Sequence, residues 1–404
     1  MRYRAFAVAA VIGVAAHFLE WFSLAARWLH VVAAIAWVGA SFYFIWVENA
    51  LSRDGKQRIP ELAGHLWSVH GGGFYYLEKY RGAPSELPPK LHWFKWEAYA
   101  TWLSGAALLA LVYYFNAAAW LAVPGGKVSP GGAIAVSVAL IGGGWLVYDV
   151  LCRTPLLKYP LQMAVLGIVS GVLLVSALDG VLSSRAVFLH LGAVIGTVMA
   201  GNVFFVIIPS QKRLVAAAQS GTAPDLELGR RAALRSLHNN YLTLPAVFLM
   251  IGVHYPAVYN HALSGLLFAA LAAAGGFARH FFNCKNRGNA EWRWLVFAAV
   301  AFAAAMLLSL PRQTGGDNSR VTLSDIRPLV QKHCVSCHSS APSDPAFRVA
   351  PLGFILDSDA QIIAGAEAIY RRVVIDRSMP FNNGGGMTDA ERQKFADWYS
   401  AQKP

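Results

Sequence analysis

Apolar stretches long enough to cross a lipid bilayer recur along this chain, and no other feature restricts its folding as much. They run over Leu24–Trp46, Ala98–Phe115, Gly132–Leu151, Leu161–Leu178, Ala186–Ile208, Tyr241–Tyr255, Asn260–Arg279 and Trp292–Leu310. A segment in hydrocarbon has to satisfy its own backbone hydrogen bonds, so each run is expected to be a helix. A further run over residues 5–19, behind Arg2 and Arg4, is short for a span and is either a signal-like segment or an extra helix. The expected fold class is therefore all-α, a polytopic transmembrane helical bundle of eight helices, or nine if the first run also spans. Composition agrees: 56% of residues are hydrophobic and only 14% charged, which excludes an ordinary soluble domain.

The formal charge of +12 would suggest nucleic acid on a soluble surface. Here the basic residues lie in short segments between apolar runs, where they set membrane orientation, and no nucleic-acid motif accompanies them. Counted by side, 18 Lys and Arg fall in residues 48–97, 152–160, 209–240 and 279–293, whereas the other side holds three, Arg27, Lys127 and Arg185. The basic side is expected to be cytoplasmic in a bacterial inner membrane, so the chain beyond the last span emerges on the periplasmic side.

That outer segment carries Cys334-Val335-Ser336-Cys337-His338. Two thiols three positions apart can add to the vinyl groups of one haem, and the following histidine reaches its iron, so the run reads as covalent haem c attachment. The alternatives are half a zinc site or a redox Cys-x-x-Cys pair; a structural zinc site wants a second ligand pair, and Cys152 and Cys284 are expected on the other side of the membrane. Further on, Arg377-Ser378-Met379-Pro380 offers a thioether as the second axial ligand, with Met387 the alternative and core packing the plain reading of either. Helices are expected over Leu323–Cys334, with Ser324 near its start, and over Thr388–Gln402, where Thr388 and Glu391 form a capping box. The domains expected are an extra N-terminal segment at 1–23, a membrane domain at 24–310, a breaker-rich linker at 311–320 and a cytochrome c domain at 321–404.

Within the spans, Leu29-His30-Val31 and the residues after it repeat at Leu189-His190-Leu191. A histidine inside a span is costly without a partner, so the pair either clamps one haem b or glues helices together. The basic side holds two further clusters: His65 to Tyr76 with Leu91 to Glu97, and Ser236 to Pro245. Aromatics to stack, glycines that allow close approach, adjacent amides and titratable groups suit a flat, polar heterocycle. The plain alternatives are an interfacial aromatic belt and a capped, Pro-bent helix.

Taken together, Trp28-Leu29-His30, Ala36 to Phe44, Val69-His70-Gly71-Gly72-Gly73-Phe74-Tyr75, His92 to Glu97, His238-Asn239-Asn240-Tyr241 and Arg279-His280-Phe281-Phe282-Asn283 resemble the membrane-bound cytochrome c urate oxidase family, the urate hydroxylase PuuD family. The resemblance runs from about Leu24 to the C-terminus. It implies oxidation of urate to 5-hydroxyisourate, with electrons leaving through the fused cytochrome toward a respiratory-chain acceptor and no hydrogen peroxide formed. It supplies no residue-by-residue roles. On chemistry alone, the reaction needs a base, a stacking surface and a way to orient water, and His70, His238 and Asn239 are the candidates, with Lys95 balancing the urate anion. Competing readings are a haem or quinol relay ending in a cytochrome, and a copper-handling membrane protein.

Overall fold

A computed structural model describes the chain apart from residues 1, 54–58, 85, 124, 311–320, 345–346, 384–385 and 403–404, and apart from the side chains of residues 1–16, 158 and 382. The protein is mostly helical. Its first element, α1 (Arg2–Ala50), is one unbroken helix of 49 residues, about 70 Å long at 1.5 Å per residue. The run at residues 5–19 is thus the N-terminal part of α1 and not an element of its own. The remaining helices of the bundle are α2 (Trp96–Leu108, wound on as a π-helix over Leu109–Tyr114), α3 (Pro130–Leu151), α4 (Pro160–Ala177), α5 (Ser184–Gln219), α6 (Leu226–Gly252), α7 (Ser264–Asn286) and α8 (Arg293–Leu308).

Local chemistry sets where these helices begin. Ser129 caps α3 by accepting the Gly132 N–H at 3.2 Å, with Pro130 at the first helical position. Ser183 does the same for α5 through Ala186, and Asp225 for α6 through Glu227. Five helices among the described residues are long and apolar enough to cross a membrane: the part of α1 from His17, and α3, α4, α5 and α7. The expected spans at Ala98–Phe115, Tyr241–Tyr255 and Trp292–Leu310 lie on α2, α6 and α8. Of these, α6 is a 27-residue helix whose first half is polar, and α8 has only 16 residues. Close approach is bought by small residues: a Cβ on Gly201 of α5 would lie 2.0 Å from Trp145 Nε1 of α3.

The all-α expectation needs one correction, because residues 62–80 form an antiparallel hairpin of β1 (Leu62–His70) and β2 (Gly73–Tyr80). Gly71 and Gly72, both at positive φ, make the two-residue turn, and Trp67 pairs across the strands with Tyr76 at 4.7 Å. The glycines that looked like ligand-approach backbone are turn residues. The hairpin base is tied to the end of α1, where Ser52 bridges to His65 and Lys79 pairs with Glu48.

The expected linker at 311–320 lies outside the described residues. Beyond it, α9 (Leu323–His333), α10 (Asp359–Ala364), α11 (Ala366–Tyr370) and α12 (Asp389–Ala401) surround a core of Ile326, Val330, Leu356, Ile362, Ile369, Val373, Met387, Phe395 and Trp398. Thr322 and Asp325 form the capping box of α9, and Thr388 and Glu391 that of α12. The Thr388 backbone N–H, helped by Lys332 and His333, holds the Glu391 carboxyl down at about 2, against an ordinary 4.5. Because the folded value is the lower one, this stabilisation is present above pH 4.5 and is lost as pH falls toward 2. Glu391→Gln should therefore lower amide protection in α12 by about 1 kcal/mol at neutral pH and flatten its decline between pH 4.5 and 2, measured by hydrogen exchange.

Candidate functional site

Polar side chains buried between apolar helices need partners, and one end of the bundle holds a layer of them. The end of α3 supplies Tyr148 and Asp149, α5 supplies Asn202, and one turn of α6 supplies Arg235, His238 and Asn239. Arg235 and Asp149 are 4% and 5% exposed and pair at 2.6 Å, with Arg153 on the other Asp149 oxygen at 2.5 Å. A second Arg235 nitrogen donates to Asn202 Oδ1 at 3.1 Å, and the guanidinium lies 5.0 Å from the Tyr148 ring. The Asn202 amide donates both to Asn239 Oδ1 at 2.9 Å and to the Tyr148 hydroxyl at 3.1 Å. Asn239 Nδ2 completes the layer by donating to the Met199 carbonyl at 2.9 Å.

His238 is the member of this layer with spare chemistry. Its Nδ1 lies 2.7 Å from the Tyr148 hydroxyl, and the ring is half-buried. With Nδ1–H donated to that oxygen, Nε2 presents a lone pair and the ring is a base; with the hydroxyl donating, Nε2–H is an acid.

One helical face further round α6, Asn240 joins Arg279 and Asn283 of α7. Asn240 Oδ1 accepts from Arg279 Nε at 3.2 Å and from Asn283 Nδ2 at 3.1 Å, while another Arg279 nitrogen donates to Asn283 Oδ1 at 3.2 Å. Phe42 of α1 covers the guanidinium at 4.0 Å. Beside them, the Tyr241 hydroxyl meets His280 Nδ1 at 2.7 Å, and Trp294 packs edge-on against His280.

Of the residues expected from sequence, His238 and Asn239 thus share one network. His70 does not join them: it is exposed at the hairpin tip beside Gly71 and Gly72, which have open space around them. Lys95 stands at the start of α2, its Nζ 5.5 Å over the Trp96 ring. A cavity of about 660 Å³ lies between residues 88–93 and the end of α5, lined by His92 and Trp93 but by no member of the polar layer. Tyr148, Asp149, Asn202 and Arg235 went unnoticed in the sequence. Asp149 carried a usable signal, as a carboxylate at the end of an otherwise apolar run.

His30 and His190 attach to different places. His30 Nδ1 is 3.0 Å from the Thr101 carbonyl and 3.1 Å from Ser104 Oγ of α2. The fully buried His190 has Nδ1 on the Ala186 carbonyl at 2.6 Å and Nε2 on Ser137 Oγ at 2.5 Å, and Ser137 in turn bonds Tyr114. Ser104 and Tyr114 are about three turns apart on the segment that carries both. As arranged, with both His190 nitrogens engaged, the pair does not fit a clamp for one haem b and acts as helix-to-helix glue.

The C-terminal residues do fit haem c. Cys334 and Cys337 are free thiols on one tight turn, closed by hydrogen bonds from the Cys337 and His338 amides to the Cys334 carbonyl. Burial, with Cys337 beside it, pushes the Cys334 thiol up to about 12, so it is neutral. His338 Nδ1 donates to the Phe354 carbonyl at 2.9 Å, which leaves the Nε2 lone pair for a metal. Met379 is partly buried at the edge of the same core, whereas Met387 is 4% exposed inside it. Arg392 fastens the Met379 loop by donating to the carbonyls of Val373 at 2.5 Å and Met379 at 2.7 Å and to Asn383 at 3.0 Å. This loop also faces the bundle: Asn260 Nδ2 donates to the Arg377 carbonyl at 2.7 Å, and Trp120 meets Phe381 edge-on at 4.8 Å.

No curated protein and no solved structure matches the chain. A family model does, the one described as urate oxidase N-terminal; it covers residues 16–309, from α1 to the end of α8 and including the whole polar layer, and the chain belongs to that family.

Proposed function

We propose that the chain is a membrane-bound oxidoreductase that converts urate to 5-hydroxyisourate and delivers the electrons to a haem c of its own. Family membership supports urate as substrate. The observation that carries the reading is the buried layer in which Tyr148 and Asn202 orient His238 and Asn239. The reaction consumes urate and one water and releases 5-hydroxyisourate, two protons and two electrons. His238 Nε2 takes a proton from urate or from the water that adds at C5, held as a base by the Tyr148 oxygen on Nδ1. Asn239 and Asn202 are locked by each other, and fixed amides of this kind orient a substrate edge without reorganising during the reaction. The paired Arg235 and Asp149 keep the layer electrically balanced.

Cys334 and Cys337 would hold a haem c, which when bound would supply one-electron acceptance and onward transfer to a respiratory-chain acceptor, so oxygen need not be reduced to peroxide. His338 Nε2 and the Met379 thioether would be the side chains that hold its iron. In this reading the side rich in Lys and Arg is cytoplasmic in a bacterial inner membrane, with the polar layer at that end of the bundle, and the Met379 loop, in contact with Asn260 and Trp120, is at the periplasmic end. Urate is thus met on the side rich in Lys and Arg while electrons leave on the other.

Anaerobic titration of purified protein tests this directly. One urate should reduce two haem equivalents, seen at the alpha band of the reduced haem, with no hydrogen peroxide produced. Reduction by a quinol but not by urate would replace the proposal with the relay reading.

A further inference from the structure

Arg279 is a buried cation with no counter-ion among the described residues. It is 5% exposed, and among the described residues no carboxylate pairs with it; its two hydrogen bonds go to the neutral amides of Asn240 and Asn283, both fully buried. Arg235, one face away on α6, shows the alternative, since it is neutralised by Asp149. An unpaired guanidinium between apolar helices is costly; the two amide hydrogen bonds and the Phe42 ring offset part of the cost, and an anion offsets the rest. A second unmet group stands beside it: Asn240 Nδ2 is buried with no acceptor among the described residues, although Asn240 Oδ1 is doubly used. A positive charge and an orphaned donor side by side ask for one ligand that is both anionic and rich in carbonyl or ring-nitrogen acceptors. Phe42, 4.0 Å from the guanidinium, provides an aromatic face at the same place.

We propose that Arg279, Asn240 and Phe42, at the junction of α1, α6 and α7, form the subsite that recognises a planar heterocyclic anion, the guanidinium taking its charge and Asn240 Nδ2 one of its acceptor atoms. Resting on the function proposed above, this assigns the charge recognition of urate to Arg279 and not to Lys95. Asn240 follows Asn239 on α6, so the subsite lies at the same level of the bundle as the layer that carries His238, one helical face round. Asn283 is a positioning residue: it holds the guanidinium and shares Asn240 Oδ1 with it.

The test is urate binding by equilibrium dialysis, with the haem reduced beforehand so that bound urate is not consumed. Arg279→Gln should weaken binding at least about 30-fold, as expected for losing one partner of a buried charge pair, and Arg279→Lys should lose less. Asn240→Asp separates recognition from folding. It keeps the oxygen that Arg279 and Asn283 use and places a carboxylate against the guanidinium, so the variant should melt at or above the wild-type temperature while binding urate at least about 30-fold more weakly. Urate binding within threefold of wild type in Asn240→Asp overturns the subsite, even if Arg279→Gln does not fold. A wild-type protein that binds no urate fails at the earlier step and removes the proposed function itself; a wild type that binds urate as tightly as both variants removes only the subsite.

Discussion

His238→Ala should lower the rate of urate-driven haem reduction by about 10²- to 10⁴-fold, the range that a positioned proton acceptor contributes. The loss should appear in the rate and not in urate binding, because the ring is placed to move a proton and the charge of urate is met elsewhere. Tyr148→Phe removes the oxygen 2.7 Å from Nδ1 and should give a smaller loss of the same kind, since the ring then has no fixed orientation. His70→Ala is the matching control: exposed at the tip of the hairpin, it should leave the rate within about twofold of wild type. Stopped-flow measurement of haem reduction under anaerobic conditions reads all three. Equal rates in wild type and His238→Ala would remove the base from this layer.

Much of the fold could be read from the chain because apolar length and basic loops are coarse signals that tertiary packing rarely reverses. Six of the eight runs gave helices within a few residues of their expected starts, and Thr388 with Glu391 gave the capping box of α12. Of the other two, Leu24–Trp46 is the latter part of α1, and Tyr241–Tyr255 is the second half of α6, whose polar first half hides in any average over hydropathy. The hairpin was legible in principle, since paired glycines between alternating aromatics are a turn signal, but a loop expected to bind a ligand offers the same residues. Site residues were harder for a physical reason. His238 and Asn239 stood out as polar neighbours in sequence, whereas Tyr148, Asn202 and Arg235 come from three helices and meet only after packing. Exposure removes His70 from the layer and position at the start of α2 removes Lys95, and both depend on where a hairpin and a helix start come to rest. The His30 and His190 repeat has a simple origin in the structure: each ring finds a serine on a neighbouring helix, so the recurrence records how the helices are joined.

Replacing both Cys334 and Cys337 by alanine should abolish covalent haem and stop electron delivery while leaving urate binding intact, since neither thiol belongs to the polar layer. Haem staining after denaturing electrophoresis reads the first effect, and dialysis with urate reads the second. The two methionines then separate ligation from packing. Met379→Ala should retain covalent haem, lose the methionine-to-iron charge-transfer band and lower the reduction potential, because the thioether that favours the reduced iron is gone. Met387→Ala should do the reverse: it empties a core site beside Phe395 and Trp398, costs about 2–5 kcal/mol of stability and leaves the band in place. Arg392→Leu falls between them, since its guanidinium holds the Met379 carbonyl at 2.7 Å and the Val373 carbonyl at 2.5 Å. Freed of that hold, the loop should present its sulfur only part of the time, so the band should weaken without vanishing. A full-strength band in Met379→Ala would transfer the ligand to another residue, and Met387, buried as it is, could take that place only if the core around it opened.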